Sequence, residues 1–143
     1  MAKFEANMEI KCPIEKVFAY LSDFKTWSKW ELAMSEIELT SGEWLAVGAK
    51  LRGINQVMNQ RIPWTADVTE YKPNEIIVLN VTSKMALIAE RFSAEPVEGG
   101  TRVNMAYTVE LRGMAKLASS MVMGILEKQV NENLACLKGI LEG

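Results

Sequence analysis

The sequence predicts an α+β fold: a curved antiparallel sheet of about seven strands, two short helices after the first strand, and one long C-terminal helix. Three observations predict it. Strand-like segments broken by brief turn signals run from Glu36 to Arg112. A proline-free stretch with helical apolar spacing runs from Met114 to Leu141. Between the N-terminal strand and the rest, Pro13 opens a short apolar helical face.

The first strand is read from Lys3 to Lys11. Phe4, Ala6, Met8 and Ile10 alternate with Lys3, Glu5, Asn7, Glu9 and Lys11, the two-residue period of a strand with one buried face. Cys12 closes it. Pro13 suits the first turn of a helix, because its missing N–H would be unpaired there and its φ is already near helical. Ile14, Val17, Phe18 and Leu21 then fall at i, i+3, i+4 and i+7 on one face. Ser22-Asp23 ends this helix or caps a second turn from Phe24 to Trp30. Trp27 and Trp30, three apart, point the same way and brace the short helices against the sheet.

The middle strands are Glu36–Thr40, Lys50–Met58, Arg61–Tyr71, Ile76–Thr82, Leu87–Glu95 and Thr101–Arg112. Ser41-Gly42, Asn59-Gln60, Pro73-Asn74 and Glu98-Gly99-Gly100 are turn signals, and strands joined this briefly pair antiparallel. Val103, Met105, Tyr107, Val109 and Leu111 share an inward face. Trp64, Ala66 and Val68 share another. If Phe92 faces inward, so do Ile88 and Glu90. In Lys50–Met58 the set Leu51, Gly53, Asn55, Val57 competes with Arg52, Ile54, Gln56, Met58.

After Gly113, Met114 to Leu141 can form a helix of about 28 residues, roughly 42 Å long. Its apolar stripe drifts. Met114, Ala118, Met121, Val122 and Ile125 form the face of the first half; Leu126, Val130, Leu134, Leu137 and Leu141 form that of the second. Gln129 and Asn133 continue the first-half face, either bringing amides to the interior or lying at a solvated edge.

Composition removes several function classes. The 143 residues read as a single domain, 1–143, able to bury a core without metal or disulfide. Sixteen Lys+Arg against 18 Asp+Glu, a net charge of -2, argue against nucleic acid, which needs a concentrated positive field. There is no histidine, hence no Ser-His or Cys-His nucleophile, no His-based zinc site and no imidazole base. Acid–base chemistry falls to carboxylates, lysine or tyrosine. No phosphate-binding glycine loop occurs, and no cofactor or metal is expected. Cys12 and Cys136 stand in apolar surroundings and no signal-peptide pattern opens the chain. The expectation is a cytoplasmic protein with free thiols and no integral membrane segment. No surface pattern specifies an oligomeric state.

Ile10, then Pro13-x-Glu15-x-Val17-Phe18-x-x-Leu21-x-Asp23 and the Trp27/Trp30 pair, resembles the START-like proteins of the polyketide cyclase/dehydrase and lipid-transport group. In the same order follow Val47-Gly48, Trp64 with Val68-Thr69-Glu70-Tyr71-Lys72-Pro73, Gly99-Gly100-Thr101-Arg102-Val103, and the long terminal helix. The resemblance covers nearly the whole chain. It implies the helix-grip fold, with the sheet wrapped around the long helix and a cavity between them, and a family spanning lipid carriers, aromatic polyketide cyclases and proteins without assigned activity.

On this reading the cavity is lined by Trp64, Phe92, Met105, Tyr107, Met114, Ala118, Met121, Val122, Ile125 and Gln129. Nine methionines are many for this length; flexible and polarizable, they line an adaptable apolar site or simply fill the core. Trp44 is loop-borne, a lid contact or a turn anchor. Glu90 and Tyr107 are the candidate acid–base residues: a buried Glu90 would have a raised pKa, and the Tyr107 hydroxyl can orient a ligand oxygen. The first functional reading is binding, transport or sequestration of a small hydrophobic molecule such as a lipid or polyketide-like aromatic, because the sequence displays no acid–base pair. The second is a cyclase/dehydratase, and the third a protein-interaction or stress-response module without a small ligand.

Overall fold

In the computed structural model, residues 2–42 and 45–143 are described; Trp44 therefore lies outside the described residues. The strands β1 (Ala2–Ile10), β2 (Met34–Ser41), β3 (Lys50–Val57), β4 (Gln60–Lys72), β5 (Ile76–Ser83), β6 (Ala86–Val97) and β7 (Gly100–Leu111) form one seven-stranded sheet. Its order is β1-β7-β6-β5-β4-β3-β2, and every neighbouring pair is antiparallel. The helices are α1 (Ile14–Ser22), α2 (Trp27–Trp30) and α3 (Ser119–Glu142), with 3₁₀ turns at Phe24–Thr26 and Gly113–Ala118. This is the helix-grip fold: a curved open sheet closed on its inner face by α3, with the short helices following the first strand.

Local chemistry accounts for the entry to the fold. Pro13 stands just outside α1, with extended backbone, and its carbonyl accepts from the N–H groups of Lys16 and Val17. Asp23 closes α1 through its N–H to Tyr20 and caps the next turn by accepting from the Lys25 N–H. Trp27 donates its indole N–H to Leu21 O at 2.8 Å, so both tryptophans are buried as braces. The core lies between the sheet and these helices, where Val17, Phe18, Leu21, Trp30, Ile77, Phe92, Val103 and Leu137 are almost wholly excluded from water. Removing that much apolar surface from solvent is the main stabilising term of the fold.

The sheet resolves the parities left open by the sequence. Leu51, Gly53 and Val57 are buried while Arg52 and Gln56 are exposed, so Asn55 also faces inward. On β6, Ala86, Glu90 and Phe92 are buried, with Ile88 on the same face. The β3–β4 turn is centred on Met58 and Asn59, one residue earlier than expected. Both have positive φ, 49° and 65°, the signature of a two-residue hairpin turn whose twist matches its strands.

Gly53 lies directly opposite Trp64, and a methyl group there would approach the indole Cζ2 to 2.4 Å. Gly53→Ala should therefore cost about 1–3 kcal/mol through overpacking, with a change in tryptophan emission; a denaturation midpoint equal to wild type would show that the indole swings aside freely.

The C-terminal segment departs from the expected continuous α-helix. Its first turns are 3₁₀, and Ala118, at φ -117° and ψ 38°, breaks the helical path before α3 begins. The inward face of α3 is Val122, Val130, Asn133, Leu134, Leu137 and Leu141. Its end is pinned to the first strand: Lys138 donates to Glu9 O at 3.0 Å and the Lys11 N–H donates to Glu142 Oε2 at 2.8 Å. No helix among the described residues is long and apolar enough to cross a membrane.

Candidate functional site

A cavity of about 70 Å³ lies between the inner face of the sheet and α3. Strands β3 and β4 contribute Asn55, Val57, Ile62 and Trp64; β6 and β7 contribute Ile88, Glu90, Tyr107 and Val109. From α3 come Val122, Leu126, Gln129, Val130 and Asn133, and the end of α2 supplies Glu31. Alternation on each strand and the three-to-four spacing on α3 bring these residues to one space.

Of the residues expected to line it, Trp64, Tyr107, Val122 and Gln129 do so. Trp64 is fixed by its indole N–H, which donates to Met34 Sδ at 3.2 Å. Gln129 donates its amide to Gln56 O, tying α3 to β3 across the cavity. Four expected helix residues do not line it. Met114 and Met121 are exposed, at 80% and 56%, because the 3₁₀ start and the break at Ala118 turn the first-half face outward. Ala118 and Ile125 are only half-buried and lie off the wall, where Leu126 takes the place expected of Ile125. Phe92 and Met105 sit in the core rather than on the cavity surface: Phe92 packs edge-on between Trp30 (6.2 Å) and Tyr107 (6.4 Å).

The polar groups give the site its character. Glu90 faces Tyr107 directly across the β6–β7 ladder, and its carboxyl is buried. Burial pushes its pKa up to about 7, because removal from water penalises the anion. Glu31, 6% exposed, is raised well above the usual carboxylate range, first by burial and then by the charge of Glu90. Repulsion between the two is mutual, so the pair keeps a proton at neutral pH. Tyr107 is held neutral by burial, reinforced by both carboxyls, and its ring stacks on Phe4 at 4.9 Å. No side-chain hydrogen bond of the described residues ends on either carboxyl; Asn55 Oδ1, an acceptor, and Trp30 Nε1, a donor, are buried without partners.

Glu31 is the residue that sequence reasoning missed, and with it the acid pair. The signal was present: Glu31 lies four residues after Trp27, on the same helical face, and its N–H donates to Trp27 O at 2.7 Å. The next residue is strapped to α3 by Leu32 N–H donating to Asn133 Oδ1. These bonds carry the carboxyl inward.

The sequence matches the family described as polyketide cyclase / dehydrase and lipid transport over residues 1–140. Solved structures share the fold at low identity. The Zhui aromatase/cyclase of a Streptomyces species superposes with a TM-score of 0.86 at 14% identity, covering 99% of this chain and 93% of that one. A Thermus thermophilus protein, TTHA0849, gives 0.84 at 18%, covering 96% and 95%. A START superfamily protein of Mycobacterium smegmatis gives 0.84 at 16%, covering 98% and 97%. No curated protein matches the sequence. The match along nearly the whole chain, on the helix-grip architecture, places this protein in the polyketide cyclase/dehydrase and lipid-transport family.

Proposed function

We propose that the protein binds a compact, largely apolar molecule in the cavity beneath α3, with Glu31, Glu90 and Tyr107 meeting its polar end. The observation that supports this most is an internal space with apolar walls into which two unpartnered carboxyls are buried. A folded chain gains nothing from burying such groups, since each desolvated carboxyl costs stability. A cavity of about 70 Å³ takes a compact ligand; a long lipid chain or a polycyclic aromatic enters only if the start of α3 moves away.

The test is native mass spectrometry of protein purified from its own host, with extraction of bound small molecules. A defined small molecule is expected. Val122→Phe, which fills the cavity from α3, should lower its occupancy at least about tenfold while the fold persists by circular dichroism, since added bulk there costs about 1–3 kcal/mol. Protein that is repeatedly empty and shows no thermal shift with a panel of apolar compounds would sink the proposal.

A second reading, acid–base catalysis of a cyclisation or dehydration, is favoured by one observation: Glu90 at about 7 is poised for proton transfer at neutral pH. Glu31 would then hold the proton that Glu90 lacks, and Tyr107 would orient the substrate oxygen. Glu90→Gln should abolish turnover and leave substrate binding nearly intact; turnover that survives the substitution removes Glu90 from the chemistry.

A further inference from the structure

The cavity offers more hydrogen-bond acceptors than donors, and no lysine, arginine or histidine lines it among the described residues. Glu31 and Glu90 are buried, and no side-chain hydrogen bond of the described residues ends on either; Asn55 Oδ1 is a buried acceptor with no donor, and the one buried donor without a partner among the described residues, Trp30 Nε1, lies off the cavity wall. Ser83 Oγ already receives the N–H groups of Met85 and Ala86. Gln129 has committed its amide nitrogen to Gln56 O, which leaves its oxygen. On the donor side, among the described lining residues, stand the Asn133 amide nitrogen, the Tyr107 hydroxyl 3.8 Å from Met105 Sδ, and the one proton the carboxyl pair retains, while the Trp64 indole N–H is committed to Met34 Sδ.

Three acceptors lacking donors, two of them acidic, match one chemical group closely. An ammonium has three N–H donors and no acceptor. It is also a cation, and a cation is stable in an apolar interior only when paired with opposite charge. An alcohol has one donor and leaves two acceptors unmatched; a carboxylate brings further negative charge beside two acidic groups, with no lysine or arginine among the described lining residues.

We propose that this cavity selects a compact primary amine, its ammonium held between Glu31 and Glu90 with Asn55 as third acceptor, and its apolar body against Phe4, Trp64 and Val122. The inference rests on the binding role proposed above and specifies the ligand class for the same site. The groups facing the ammonium are Glu31 from the end of α2, Glu90 from β6, Tyr107 from β7, Asn55 from β3 and the Gln129 and Asn133 amides from α3. Tyr107 stays neutral, so the carboxyls carry the whole charge response. In the free protein the pair keeps a proton; the ammonium favours the ionised form of both carboxyls, and the proton displaced passes to solvent. Affinity therefore rises with pH until the amine itself loses its charge.

The experiment is isothermal titration calorimetry at about pH 7.5 with isopentylamine, isopentyl alcohol and isovalerate, which share one apolar body. The amine should bind at least about tenfold tighter than the alcohol, as expected for hydrogen bonds to charged groups, and the acid should not bind. Titrations in two buffers of different ionisation heat should show proton release for the amine and none for the alcohol. In the Glu31→Gln/Glu90→Gln double variant the amine-to-alcohol ratio should fall below about threefold. Equal binding of amine and alcohol, or a preference that survives the double substitution, overturns the inference while the cavity's binding role stands. Failure of all three probes counts against both.

Discussion

Glu90→Gln should stabilise the protein above neutrality by up to about 3 kcal/mol and flatten its stability between pH 4.5 and 7. The size follows from the rise of the Glu90 carboxyl from 4.5 to about 7, each unit being worth about 1.4 kcal/mol. The sign follows from proton counting. A carboxyl whose folded pKa lies above its unfolded value binds more protons in the native state, so stability falls as pH rises. The loss begins near 4.5, where the unfolded chain ionises, and is complete once the folded group has ionised above about 7. Glu31, also raised, by burial and by the charge of Glu90, adds to the fall. Urea denaturation of wild type and Glu90→Gln at pH 5, 6, 7 and 8 measures this directly. Parallel curves for the two proteins would mean that Glu90 is solvated or paired in solution.

Phe92→Ala should be among the most damaging single substitutions, costing about 3–5 kcal/mol. Phe92 is 1% exposed and joins Trp30, from the short helices, to Tyr107, on the neighbouring strand. Its removal takes away both edge-to-face contacts and leaves a void beneath the cavity that the paired strands cannot close. Phe92→Leu keeps most of the volume and should cost about half as much or less. Chemical denaturation of both variants checks the order. A loss under about 1.5 kcal/mol for the alanine variant would show that the site collapses readily.

The strands were legible in the sequence because one face of each is buried and the other wetted: β1 alternates along its length as Phe4, Ala6, Met8 and Ile10 predict. The parity of β7 was equally plain. On β3 it was not, since Leu51, Gly53, Asn55, Val57 and the opposite set are similarly mixed; packing of the Trp64 indole over Gly53 decides it. The long helix misled most. Met114, Met121 and Ile125 have the spacing of a buried face, yet the chain leaves β7 through a 3₁₀ segment whose Met114 and Leu117 stay exposed. A helical period reports which residues share a face, and says nothing of where that face points.

The helix-grip arrangement of the elements came from the family resemblance; the sequence by itself determined the run of antiparallel strands, the two short helices and the long C-terminal one, the bracing role of Trp27 and Trp30, and the exclusion of histidine-based chemistry. Each depends on local periodicity, on turn and cap residues, or on composition, and these act over a few residues. Only the tertiary structure decided that Glu31 and Glu90 meet in one cavity, with Tyr107 beside them and no lysine or arginine among the described lining residues. One carboxyl comes from a helix end and the other from a strand far along the chain, so no periodicity relates them. What joins them is the closing of α3 over the sheet, which removes both from water at once, and the electrostatics of the site begin there.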